Sequence, residues 1–210
     1  PSPAAQAILV PAGSTVQSLA DLKGKKIAVT KAAGSHYLLI VALKQAGLTL
    51  KDVDAAWLTP ADGRAALENG SVAAWVTWEP YVTSARQEQH ARVLVNGKGL
   101  ASYQRYYLVA SPYVTAHPAV VSAVYHALQQ ESQWLKTHPQ DAAKILSPLW
   151  GNLPLATIEQ ANAHRSYQVE PVKSSDLAEQ QKIADVFYQA KLLPKPVNAR
   201  QVATWQPATP

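Results

Sequence analysis

The sequence has 210 residues, 48% of them apolar and 16% charged, with a formal net charge of +5. That balance excludes a disordered chain, and the lack of any cysteine excludes disulfides, thiolate nucleophiles and cysteine-ligated zinc. No apolar run reaches the roughly 18 residues a membrane-spanning helix needs, and the basic residues form no stripe interleaved with aromatics, so no nucleic-acid partner is expected.

The chain begins at Pro1 without an initiator methionine or a basic, apolar leader. Either a leader has been removed or the sequence starts inside a longer protein. The first half alternates strand and helix patterns. Ile27-Ala28-Val29-Thr30 reads as a strand and is followed by the break Ala33-Gly34-Ser35. A helix capped by Ser35 is predicted next, with Leu38, Val41, Ala42 and Ala46 on its apolar face and Gly47 ending it. A strand at 55–58, a helix from Pro60 to Gly70, a strand at 73–77, a helix after Glu79-Pro80 and a strand at 92–95 complete the series. Such strand-helix-strand units imply a mainly parallel sheet covered on both faces. Residues 103–110 read as another extended segment. Beyond Pro112 only helices are predicted, at 117–138, 140–146, 155–164 and 175–190, followed by a proline-rich tail anchored by Trp205. The composition change near residues 100–110 marks a domain boundary, and the helical half carries more apolar surface than it can bury alone.

Candidate chemistry gathers at the strand-to-helix loops, because ligands of open parallel sheets bind beyond the C-terminal strand ends. In Lys31-Ala32-Ala33-Gly34-Ser35-His36-Tyr37, unpaired N–H groups and the positive helix end make an anion site, or else an ordinary capped turn. Gly34 lets a ligand approach the backbone, while Ser35, His36 and Tyr37 offer side-chain donors. Trp78 and Tyr81 can wall an organic ligand and Glu79 can accept a hydrogen bond from it, although these residues taken alone read better as a Glu-Pro helix start with two packing aromatics. Asp62 and Arg64 form a third edge group, with Arg64 expected to pair with Glu68 on the helix surface. Catalysis is not indicated. Ser35 lacks the Gly-x-Ser-x-Gly elbow and sits next to His36 in sequence, which does not suit a triad. His36, His90, His117, His126, His138 and His164 show no metal-ligand spacing, and no phosphate-binding glycine motif or other cofactor signature occurs.

The blocks Asp21-Leu22-Lys23-Gly24-Lys25-Lys26-Ile27-Ala28-Val29, Gly34-Ser35-His36-Tyr37-Leu38-Leu39, Ala61-Asp62-Gly63-Arg64-Ala65-Ala66 and Gly70-Ser71-Val72-Ala73-Ala74-Trp75-Val76-Thr77-Trp78-Glu79-Pro80-Tyr81 resemble the aliphatic sulfonate-binding proteins of ABC importers. The resemblance covers nearly the whole chain and implies a type II periplasmic binding fold. By that likeness residues 11–103 are the second lobe, while residues 1–10 and 104–210 are crossover strands and helices of an incomplete first lobe. It implies a non-enzymatic, periplasmic solute-binding component without cofactor, whose partners are a small sulfonate anion and the importer's membrane subunits. Self-association through exposed first-lobe surface is expected as well. Gly34, Ser35, His36 and Tyr37 would hold the sulfonate, with Asp62, Trp78, Glu79 and Tyr81 lining the site. Nitrate, taurine or another small organic anion is the alternative ligand, and a thiamine-pyrimidine-synthase-like enzyme on the same fold is the alternative of another class.

Overall fold

In a computed structural model that describes residues 1–207, the chain divides into two compact units, Pro1–Gln104 with Ala143–Arg165, and Arg105–Ala142 with the C-terminal residues from Ser166. The first unit is built on a five-stranded sheet whose strands are β1 (Gln6–Val10), β2 (Lys26–Val29), β3 (Asp54–Trp57), β4 (Ala74–Trp78) and β5 (Arg92–Asn96), in the order β3-β2-β4-β1-β5. Helices α1 (Gly34–Gln45), α2 (Pro60–Glu68) and α3 (Tyr81–Glu88) connect β2 to β5 in sequence.

This β2-to-β5 series runs in one direction. β2 pairs in parallel with β3 and β4, whereas β1 enters antiparallel between β4 and β5, with Ile8 opposite Val76 on one side and Val95 on the other. Both faces are buried, which accounts for the unbroken apolar reading of Ala-Ile-Leu-Val in β1, all fully buried. One face packs Ala7, Leu9, Ala28 and Trp75 against Leu67 of α2 and Val82 and Ala85 of α3. α1 packs on β1, β2 and β4, burying Leu38, Leu39, Ala42 and Leu43. Its end is set by Gly47 in the left-handed region, where a side chain would strain the backbone.

The helix at Leu155–Ala163 (here α7) returns to α3. Thr157 Oγ1 donates to Gln87 Oε1 at 2.5 Å, and Gln87 Nε2 donates to Gln160 Oε1 at 2.8 Å. The helices before it are α4 (Ser111–Ala116), α5 (Pro118–Thr137) and α6 (Pro139–Leu146), and α8 (Ser174–Gln189) follows. Residues 103–110 form no strand, contrary to the extended reading. In the second unit Gln181 of α8 holds the tail by donating to Val197 O and accepting from Ala199 N. Trp205 is an anchor, its ring 5.2 Å from that of Tyr125. α5 buries none of its residues, and Tyr107 and Leu108 are 72% and 90% exposed. No helix among the described residues is long and apolar enough to cross a membrane.

Candidate functional site

Because β2, β3 and β4 end at one sheet edge, the loops carrying Lys31 to His36, Trp57 to Asp62 and Trp78 to Tyr81 meet there, joined by the first residue of β1. Thr30 Oγ1 donates to Leu58 O at 2.9 Å, fastening the first loop to the end of β3.

α1 begins at Gly34, two residues earlier than a Ser35 cap would allow. Its N-cap is Ala33, which has no side-chain cap bond. His36 reaches back instead, its Nδ1 accepting from the Ala32 N–H at 3.1 Å, which fastens the turn ahead of the helix and leaves the Gly34 and Ser35 N–H groups uncapped. Ser35 therefore lies inside the first turn. The N–H groups of Gly34 and Ser35 and the Ser35 hydroxyl find no partner among the described residues. Gly34 is exposed, with Ser35 fully buried beneath it. These are donors at the positive end of a 12-residue helix.

His36 is almost completely buried, and burial first, then the Lys31 charge, lower its pKa below 6.5. With Nδ1 accepting, the ring is neutral and carries its proton on Nε2. The unfolded histidine binds the proton more readily than the folded one. The stability His36 contributes is therefore complete above pH 6.5 and lost as the pH falls from there through the lowered value. Urea midpoints should accordingly drop more steeply below pH 6.5 in the wild type than in His36→Gln. Parallel curves for the two proteins would contradict this.

Trp78 and Tyr81 are half-buried and stand edge to face at 6.1 Å, with Tyr81 also 6.2 Å from the Trp75 ring. Tyr37 is buried on α1. Glu79 is wholly buried. Its Oε2 accepts from Thr83 N at 3.1 Å and its Oε1 from Thr83 Oγ1 at 2.9 Å, with His164 Nδ1 at 2.5 Å from Oε1. Arg165 adds a bond to the Glu79 carbonyl. Asp62 is exposed and belongs to the start of α2, accepting from the Thr59 hydroxyl at 2.7 Å. Arg64 does not pair with Glu68 as its helix spacing suggested. It reaches across to α3, to Ser84 Oγ at 3.0 Å and to the Glu88 carboxylate, since α2 and α3 lie side by side on the sheet.

Two residues at this edge escaped the sequence reading. Gln6 opens β1 opposite Trp78, is almost fully buried, and leaves Oε1 without a partner. That oxygen is 3.8 Å from the point where a Cβ on Gly34 would stand, and the Tyr103 ring is 3.1 Å from the same point. A glutamine heading an otherwise apolar strand was the available signal. Trp57, at the end of β3, is 44% exposed, 4.7 Å from the His36 ring and 5.9 Å from Lys31 Nζ. Among the described residues, no group of three or more acidic or histidine side chains is placed to hold a metal ion.

The chain carries unpartnered donor groups at the start of α1, beyond the C-terminal ends of β2, β3 and β4. Structurally it is similar to the periplasmic aliphatic sulphonate binding protein SsuA from Escherichia coli, with TM-score 0.90 and 38% identity over 99% of this chain and 67% of that one. It is also similar to the alkanesulfonate-binding protein SsuA from Xanthomonas axonopodis pv. citri bound to MOPS, with TM-score 0.86, 37% identity, and 95% and 69% coverage. The NMT1/THI5-like family profile matches residues 3–142, and the chain belongs to that family, alongside aliphatic sulfonate-binding relatives. A curated relative from Escherichia coli (strain K12), provisionally named as an aliphatic sulfonates-binding protein, is 38% identical over 99% of this chain, which spans 65% of that relative's length.

Proposed function

We propose that this chain is the solute-binding component of an ABC importer and captures aliphatic sulfonates without chemical change. The observation that carries the reading is the unpartnered pair of N–H groups at Gly34 and Ser35, in a chain whose relatives are named for sulfonate binding. A sulfonate keeps its charge throughout the physiological range, so neutral donors at a helix start hold it without a counter-charge that must itself be desolvated. Gly34, Ser35, His36 and Tyr37 form the head-group side, and Trp78 and Tyr81 wall the organic part. Asp62 and Glu79 serve by setting the α2 start and the 78–81 turn.

In this reading residues 11–103, with β1 completing their sheet, are the second lobe of a periplasmic protein, and its partners are the importer's membrane subunits. Self-association through the exposed run Tyr107 to Val109 belongs to the same proposal and is checked by sedimentation velocity.

Ser35→Ala separates ligand contact from folding. The free hydroxyl is buried without a partner, so removing it should leave stability unchanged or slightly raised. Ethanesulfonate affinity, measured by calorimetry, should fall by about tenfold with the loss of one charge-assisted bond. Unchanged affinity would remove Ser35 from the site.

A further inference from the structure

Within Pro1–Gln104, Trp57 is the only large apolar side chain that stands exposed among the described residues. Isolated surface aromatics are common and carry no function by themselves. Trp57 differs in what holds it. Its indole lies 4.7 Å from the ring of His36, the third residue of α1, and that ring is immobilised by its bond to Ala32 N–H. The Lys31 ammonium stands 5.9 Å from the indole centroid, within the range of a cation–π contact. The indole thus packs on a residue of the same first helical turn that carries the unpartnered N–H groups of Gly34 and Ser35, and a cation lies beside it.

We propose that the exposed indole of Trp57, propped by His36 and flanked by Lys31, is the platform on which the organic part of the bound anion lies. The site then selects sulfonates bearing a flat or extended apolar group over the smallest ones. This rests on the anion reading of the α1 start and adds to it a residue that sets ligand size. An aromatic or long-chain tail gains van der Waals contact and buries the indole, while the head group remains at the helix start beside Lys31. A one-carbon sulfonate is too short to use the platform.

The test is calorimetric titration of the wild-type chain, Trp57→Ala and Trp57→Phe with naphthalene-2-sulfonate and with methanesulfonate. Because the side chain is 44% exposed, both variants should fold, which circular dichroism verifies. Trp57→Ala should weaken naphthalene-2-sulfonate binding by about tenfold, leave methanesulfonate within about twofold, and be largely rescued by phenylalanine. Equal losses for both ligands, or no loss for the larger one, would overturn the platform while leaving the anion site in place. A wild-type chain that binds neither ligand would overturn the anion site and the platform together.

Discussion

Glu79→Ala should lower the unfolding free energy by about 3–5 kcal/mol, read from urea denaturation at neutral pH. The carboxyl is wholly buried and gathers Thr83 N–H, the Thr83 hydroxyl and His164 Nδ1, while Arg165 holds the carbonyl of the same residue. Alanine strips the acceptor from a buried hydroxyl and an amide at the start of α3 and leaves a cavity beside them. Each loss costs more than the bond was worth, because water cannot replace it. The network also ties the end of α7 to the turn between β4 and α3, so amide exchange should rise in both places. Glu79→Gln keeps the shape and one acceptor and should cost less than half as much. A loss below about 1 kcal/mol in the alanine variant would show that the network contributes little to stability.

Gly63→Val should destabilise by about 3 kcal/mol, against the usual expectation that a glycine inside a helix is a weak point. A Cβ at position 63 would stand 2.4 Å from Trp75 Nε1 and 2.8 Å from its Cδ1. The indole cannot retreat, since Trp75 is 1% exposed on β4 and packed among Ala7, Leu9 and Leu67. Alanine at the same place would gain about 1 kcal/mol of helix propensity and still be a net loss, because displacing a locked core side chain costs about 1–3 kcal/mol. Gly13→Ala is the control, as nothing lies within 4 Å of its Cβ position and it should be close to neutral. Thermal melts in which Gly63→Val matches Gly13→Ala would contradict the packing argument.

Local signals were the legible part of the fold. The alternation from Ile27 to Val95, the glycine ending α1 and the late helices at Leu155–Ala163 and Ser174–Gln189 follow from period and punctuation. The antiparallel entry of β1 was not visible, because a strand buried on both faces reads the same in either direction. At the sheet edge, the loop from β2 into α1 was legible from Gly34 and the helix that follows it. That no side chain caps the helix was not, because the bond from Ala32 N–H to His36 Nδ1 depends on the turn at Lys31 to Ala33. The Arg64 pairing went to Glu88 rather than Glu68, and Glu79 met His164 from 85 positions away. Such choices are made by packing of α2 on α3 and of α7 on α3, which sequence spacing does not encode.

The central claim is that the start of α1 holds an organic sulfonate. A thermal-shift titration of this chain with ethanesulfonate, taurine, nitrate and sulfate tests it most directly. A ligand that binds only the folded chain adds about 2.7 kcal/mol of stability at a hundredfold excess over Kd, enough to raise Tm by several degrees. The organic sulfonates should produce that rise in the wild type and a smaller one in Ser35→Ala. A rise with nitrate or sulfate alone, or none with any sulfonate, would contradict the account.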